Sequence, residues 1–195
     1  MTETVHTLVI GGGQAGVATS AHLQKHGVPH LVLERDRIAE RWRTWRWDSL
    51  VANGPAWHDR FPEAEFEGLD PDAFAGKEAV ADYFLHFAQV RNLPIREGVE
   101  VTRLERQGDH FRATTSSGTI EARNVVIATG PFQKPVIPTV ITDPAITQLH
   151  SNSYRNPGQL PGGAVLVVGA GSSGAQIAEE LVRAGRRVYL SIGPH

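Results

Sequence analysis

Hydrophobic positions along the chain fall into three kinds of run. Short, nearly unbroken runs come first. Val5 to Ile10 and His30 to Glu34 are rich in aliphatic and β-branched residues, as expected of strands covered on both faces. Between them Gln14 to His26 reads as a helix, opened after Gly11 to Gly13 and closed by Gly27. Strand, helix and strand within about 30 residues make a βαβ unit, parallel and right-handed. A second kind of run has helical spacing: Lys77 to Asn92 places Val80, Phe84, Phe87 and Ala88 on one face. The third kind is strand-like and punctuated. Val99 to Arg106, Phe111 to Thr115 and Thr119 to Ala122, parted by turn signals at Gly108-Asp109 and Ser117-Gly118, predict an antiparallel meander. Asn124 to Ala128 reads as a separate return strand.

The stretch from Arg35 to Pro71 carries all four tryptophans and no clean period, so it predicts loops and short helices. Pro131, Pro135 and Pro138 make a stiff connector, and His150 to Gly163 is a second loop rich in proline and glycine. Ala164 to Val168 then opens a glycine turn, a helix to about Ala184 and a strand from Arg187 to Ile192, repeating the first unit 158 residues on. The fold class expected is α/β. A Rossmann-like domain of parallel sheet plus antiparallel β-meander covers residues 1–135, a connector 136–163, and the first βαβ of a second Rossmann-like domain 164–195.

Composition narrows the chemistry. Of 195 residues, 41% are hydrophobic and 21% charged, ordinary values for a globular protein. A formal charge of −2 gives no reason to expect nucleic acid or an anionic membrane as partner. No apolar stretch approaches the roughly 18–20 residues of a membrane span. The first apolar run leads into glycines and a helix, so it is a strand rather than a signal peptide, and a cytoplasmic location is expected. The chain has no cysteine, which removes disulfides, zinc-thiolate sites, a thiol nucleophile and a thioredoxin-reductase-like dithiol mechanism.

Two glycine fingerprints carry the functional signal. Gly11-x-Gly13-x-x-Gly16 lies between a predicted strand and a predicted helix. The first glycine permits the turn, the second lets a pyrophosphate approach the backbone, and the third lets helix and strand pack closely. Gln14 and Ala15 begin the helix, whose free N–H groups and partial positive charge suit phosphate. Glu34 ends the second strand, where a carboxylate accepts hydrogen bonds from ribose hydroxyls. Arg35 beside it is counted with the same contacts. FAD is the cofactor expected here. Gly169-x-Gly171-x-x-Gly174, with Ser172 and Ser173 opening its helix, repeats the pattern. Its second strand ends Leu190-Ser191-Ile192-Gly193 without an acidic residue. A carboxylate there would repel a 2′-phosphate, so its absence favours NADPH as the second cofactor. Arg186 and Arg187, at the start of that strand, read equally as solvated turn residues or phosphate contacts.

Two such fingerprints, the second reached through Ala128-Thr129-Gly130, resemble the class B flavin-dependent monooxygenases (flavin-containing, YUCCA-like and Baeyer–Villiger). The resemblance spans essentially the whole chain, as an N-terminal portion of that family. It implies that Thr129 and Gly130 end a strand of the FAD domain and lead towards the NADPH domain. It places Trp42 at the tryptophan of a Gly-Gly-x-Trp segment, with Ala39 and Glu40 replacing the glycines. It gives Asn53 a catalytic place near flavin and nicotinamide. His150 and Tyr154 keep the second half of the family's identifying motif, while Pro144 and Ile146 occupy its phenylalanine and glycine places. The function implied is NADPH reduction of a flavin that activates dioxygen to oxygenate a small organic substrate. A reductase without oxygenation, or an FAD-binding module without catalysis, is the alternative.

Other residues have plainer readings. His22 and His26 have metal-pair spacing but no nearby acidic ligand, so no metal is expected. Arg35, Arg37, Arg41, Arg43 and Arg46, mixed with Asp36 and Glu40, form a solvated face from which one arginine can meet a pyrophosphate. Trp42, Trp45, Trp47 and Trp57 are an aromatic wall beside a flavin or ordinary packing. His58-Asp59 is a loop. One βαβ is about half of a mononucleotide-binding lobe. The chain is therefore expected to be a fragment of a longer enzyme, to be completed by a second chain or copy, or to be a degenerate binding module.

Overall fold

The computed structural model describes residues 2–193. Six strands, β1 (Thr2–Ile10), β2 (His30–Leu33), β3 (Ile95–Arg96), β4 (Val101–Gln107), β5 (His110–Thr115) and β6 (Gly118–Ile127), form one sheet ordered β3-β2-β1-β6-β5-β4. The β3, β2, β1 and β6 pairings are parallel; those of β4, β5 and β6 are antiparallel. This is the Rossmann-like parallel sheet with a meander on one side.

The return strand and the last meander strand are one element, not two. Arg123 between them is neither a glycine nor a proline, so nothing breaks the extended chain. β6 keeps one register against β1 from Thr2↔Thr119 to Ile10↔Ile127, while its first half also pairs with β5. Correspondingly β1 starts at Thr2 rather than Val5: its first three residues are exposed and hold ladder bonds without burial. β3 is too short to leave a period in the sequence.

Helix α1 (Gln14–Lys25) packs on β1 and β2 of the sheet, and α4 (Lys77–Val90) packs on α1. Their core joins Val17, Val80, Ala81 and Phe84 to an aromatic group of Phe61, Phe66, Tyr83 and Phe87, in which Phe66 stacks on Tyr83 at 4.0 Å. Each fully buried side chain of this kind contributes about 1.5–3 kcal/mol. On the other face Leu8, Leu33, Val99, Ala113, Ile120 and Ala122 pack together. Two short helices, α2 (Glu40–Thr44) and α3 (Ala56–Asp59), lie in the tryptophan-rich stretch.

The second unit is β7 (Val165–Val168), α5 (Ser172–Arg183) and β8 (Val188–Ser191), with β7 and β8 parallel from Val165↔Val188 to Val168↔Ser191. It is joined to the first through one apolar cluster. Ile177 and Leu181 of α5 bury against Tyr154 and against Trp47 and Leu50, which follow α2. Among the described residues no helix is long and apolar enough to cross a membrane.

Candidate functional site

The turn after β1 is built by contacts rather than by glycine content alone. Gly11 has φ +110°, a backbone open to glycine, and its N–H donates to the Leu33 carbonyl at 2.8 Å. A Cβ on Gly16 would collide with the Gly11 carbonyl oxygen, which is why strand and helix can lie so close. Gly13 is different. It precedes α1, and a Cβ there would meet nothing, so the space in front of the helix is open.

Glu34 is held from two sides. Its Oε2 accepts the Gly12 N–H at 2.6 Å and its Oε1 accepts the Asp36 N–H at 2.9 Å. Each oxygen keeps a further lone pair, so the carboxylate is oriented and still able to accept from a ligand hydroxyl.

These groups open on a cleft of about 390 Å³, within the range of small-molecule sites. Its lining brings together Gly11, Gly13, Gln14, Ala15, Glu34, Arg35, Trp42, Thr129 and Gly130. Gly16 lies behind the turn as its packing contact. Trp45, Arg41, Arg46, Gln133 and Asn152 also line it; the sequence raised Trp45 and the arginines only beside plainer readings, and it did not mark Gln133 or Asn152. Arg41 ties α2 to the segment after Gly130, donating to the Phe132 carbonyl at 3.0 Å and to Gln133 Oε1 at 2.5 Å while lying over the Trp45 ring. Gln133 in turn donates to the carbonyls of Thr129 and Gly130. A glutamine three residues beyond a strand-end glycine was the available signal.

The four tryptophans divide. Trp42 and Trp45 line the cleft, Trp42 packing edge-on against Phe84. Trp47 is buried in the cluster with α5, and Trp57 is largely exposed. Ala39, in the glycine place of the family segment, takes the left-handed conformation (φ 60°) that glycine favours, and its N–H donates to the Gly12 carbonyl at 3.2 Å. The backbone shape is thus kept at the cost of some strain.

Asn53 does not line this cleft. It is exposed, and its Oδ1 accepts from Gln176 Nε2 of α5 at 3.3 Å, placing it beside the second unit.

The second turn repeats the main features of the first. Gly169 has φ +100°, its N–H donates to the Ser191 carbonyl at 3.0 Å, and a Cβ on Gly174 would collide with the Gly169 carbonyl oxygen. Gly171 is open like Gly13. Serine 172 and Ser173 begin α5. By the matching bonds from Gly11 to Leu33 and from Gly169 to Ser191, Ala170 corresponds to Gly12, and Ile192, which is exposed, to Glu34. Arg186 is committed to the Pro161 and Gly163 carbonyls, which favours its reading as a turn residue.

A model of the pyridine nucleotide-disulphide oxidoreductase family matches residues 8–194. The chain belongs to that family. It is 43% identical over 196 residues to the CzcO-like uncharacterized oxidoreductase of Geobacillus kaustophilus, covering 99% of this chain and 56% of that protein. To the indole-3-pyruvate monooxygenase YUCCA1 of rice (Oryza sativa subsp. japonica) it is 30% identical over 191 residues, covering 95% of this chain and 47% of the relative. Among solved structures, the flavin-containing monooxygenase from Stenotrophomonas maltophilia superposes with a TM-score of 0.86 at 26% identity, covering 99% of this chain and 59% of that one. The chain therefore spans about half the length of the curated relatives it matches. The resemblance to flavin-containing and YUCCA-like monooxygenases read from the fingerprints is borne out, as is the fold.

Proposed function

We propose that the protein is a flavin-dependent oxidoreductase of monooxygenase type, holding FAD in the first cleft and NADPH at the second glycine turn. The observation that carries this reading is the doubled turn with unequal strand ends: one backbone built twice, with Glu34 at one end and Ile192 at the other. The cleft fits the first cofactor by its own features. The space over Gly13 admits a pyrophosphate to the start of α1, and Glu34 faces the cleft with lone pairs free.

When bound, FAD reduced by NADPH would supply the activation of dioxygen used to oxygenate a small organic substrate. The chain's own work is to bind and orient. Gly11, Gly13, Gln14, Ala15 and Gly16 shape the phosphate turn, with Arg35 beside it, and Glu34 takes the ribose. Thr129 and Gly130, held by Gln133, which Arg41 in turn contacts, line the cleft with Trp42. Gly169, Gly171, Ser172, Ser173 and Gly174 present the second turn without a carboxylate to repel a 2′-phosphate. Asn53, fixed by Gln176, stands beside α5, where it can meet a nicotinamide carried by the second unit.

The test is spectroscopic. The purified protein is expected to absorb in the oxidised-flavin bands, and anaerobic NADPH should bleach them faster than NADH. Admission of ¹⁸O₂ with an amine, sulfide or ketone panel should then leave label in a product. Bleaching followed by hydrogen peroxide alone would favour a reductase without oxygenation. Colour without bleaching would leave an FAD-binding module, and a colourless protein indifferent to both dinucleotides would sink the reading.

A further inference from the structure

Five arginines crowd the segment from Arg35 to Arg46, and four of them have an acceptor. Arg35 pairs with Asp36, Arg37 with Glu40, and Arg43 with both Glu78 and Asp82. Arg41 is hydrogen-bonded to Phe132 and Gln133. Arg46 stands apart. Its Nε is buried without a hydrogen-bond partner, and among the described residues no carboxylate lies in ion-pair range of its guanidinium. Its aromatic neighbour is Trp42, whose ring centroid is 5.7 Å away.

A guanidinium stays protonated in proteins, so half-burying one without an anion is costly. Burial holds the Arg46 guanidinium below its ordinary value, as desolvation of a cation must. The neighbourhood does not relieve it. Arg41, lowered first by burial, is lowered further by Arg35 and by Arg46, so three cations share this wall. Arg35, Arg41 and Arg46 all line the cleft that also holds Gly13, Gln14 and Ala15. Glu34, Asp36, Glu40 and Glu100 line it too, but Arg35 is paired with Asp36 and Arg41 is hydrogen-bonded, so Arg46 is the one fork left uncommitted among these three.

We infer that Arg46 is an anion-binding residue of this cleft, its guanidinium donating to the pyrophosphate oxygens of the bound dinucleotide. This rests on the reading that the cleft holds FAD. Arginine suits the task because its planar fork donates two parallel bonds to phosphate, which Trp42 beneath it helps to orient. The buried Nε stays within the wall, and the two terminal nitrogens, which have no acceptor among the described residues, are the ones a phosphate in the cleft would meet.

The experiment uses the intact protein freed of flavin, titrated with FAD, ADP and riboflavin. Arg46→Gln should weaken FAD and ADP by roughly 10- to 100-fold, the effect of losing a charged hydrogen bond, and leave riboflavin unchanged. Arg46→Lys should recover part of the loss. Without ligand, Arg46→Met should unfold no more readily than the parent, because no hydrogen bond or ion pair is lost and the methionine still covers the Trp42 ring. Unchanged affinity for FAD and ADP in Arg46→Gln, a loss confined to riboflavin, or a marked fall in the stability of Arg46→Met would each overturn the assignment. A parent protein that binds neither FAD nor ADP would instead remove the cleft reading, and Arg46 with it.

Discussion

The Tyr154 hydroxyl donates to Glu180 Oε2 at 2.6 Å, and the Ser49 hydroxyl donates to Oε1 of the same carboxylate at 2.7 Å. One side chain of α5 thus holds both the loop before β7 and the segment after α2. Tyr154→Phe keeps the ring in its apolar cluster and removes one bond. It should cost about 1–3 kcal/mol, read as a lower urea midpoint with unchanged slope. An unmoved midpoint would show that water replaces the phenol at no loss.

The same pair sets an alkaline limit to stability. Burial first, and then the bond to Glu180, pushes the Tyr154 phenol above its ordinary 10.0. In the unfolded chain the phenol ionises near that ordinary value. Its contribution is therefore complete below about pH 10 and is lost as the pH rises towards the folded phenol's value. Urea midpoints should fall across that range, and Tyr154→Phe should flatten the fall. Parallel curves for the two proteins would assign the alkaline loss to other groups.

Two glycines of the first turn should respond oppositely to one methyl group. Gly13→Ala meets open space, so the fold should lose at most about 1 kcal/mol, while FAD affinity drops at least tenfold because the methyl occupies the phosphate approach. Gly16→Ala drives a methyl into the Gly11 carbonyl and should destabilise the protein by about 1–3 kcal/mol or more with or without ligand. Thermal unfolding and flavin titration together separate the two. Equal behaviour of the variants would count against the phosphate approach at Gly13.

Ile192 offers the matching test at the second turn. Ile192→Glu places a carboxylate where the first unit has Glu34, on an exposed position that tolerates charge. The ratio of NADPH to NADH efficiency in anaerobic flavin reduction should fall at least tenfold. If the ratio holds, the 2′-phosphate is not read at this strand end.

The sequence carried the fold because its periods are local. Both βαβ units and the α4 helix were legible from residue types and turn glycines, within a few residues at their ends. β6 was misread as two strands because an exposed arginine weakens alternation without breaking the backbone, and β3 because two residues hold no period. At the candidate site the glycines and Glu34 were legible, since their roles follow from their neighbours in sequence. Arg46, Gln133 and Asn152 were not: they reach the cleft from segments without regular structure, and only tertiary contact shows which arginine of five has no partner. Asn53 marks the opposite limit, where a role drawn from resemblance sits against α5 rather than within the cleft.

FAD and NADPH share an adenosine diphosphate half, so a protein that builds the same phosphate turn twice builds two seats for one shape. On the reading proposed above, the risk is misloading: either ligand entering the other's place. The phosphate turns alone do little to prevent it, because the strand-to-helix contact and the open glycine before the helix repeat. Within the repeated part, the difference lies at the ends of the second strands, where a doubly anchored carboxylate at Glu34 would repel a 2′-phosphate and an aliphatic side chain at Ile192 would not. One position in each copy, and not the motif that defines the copies, then separates a dinucleotide bearing a 2′-phosphate from one without it.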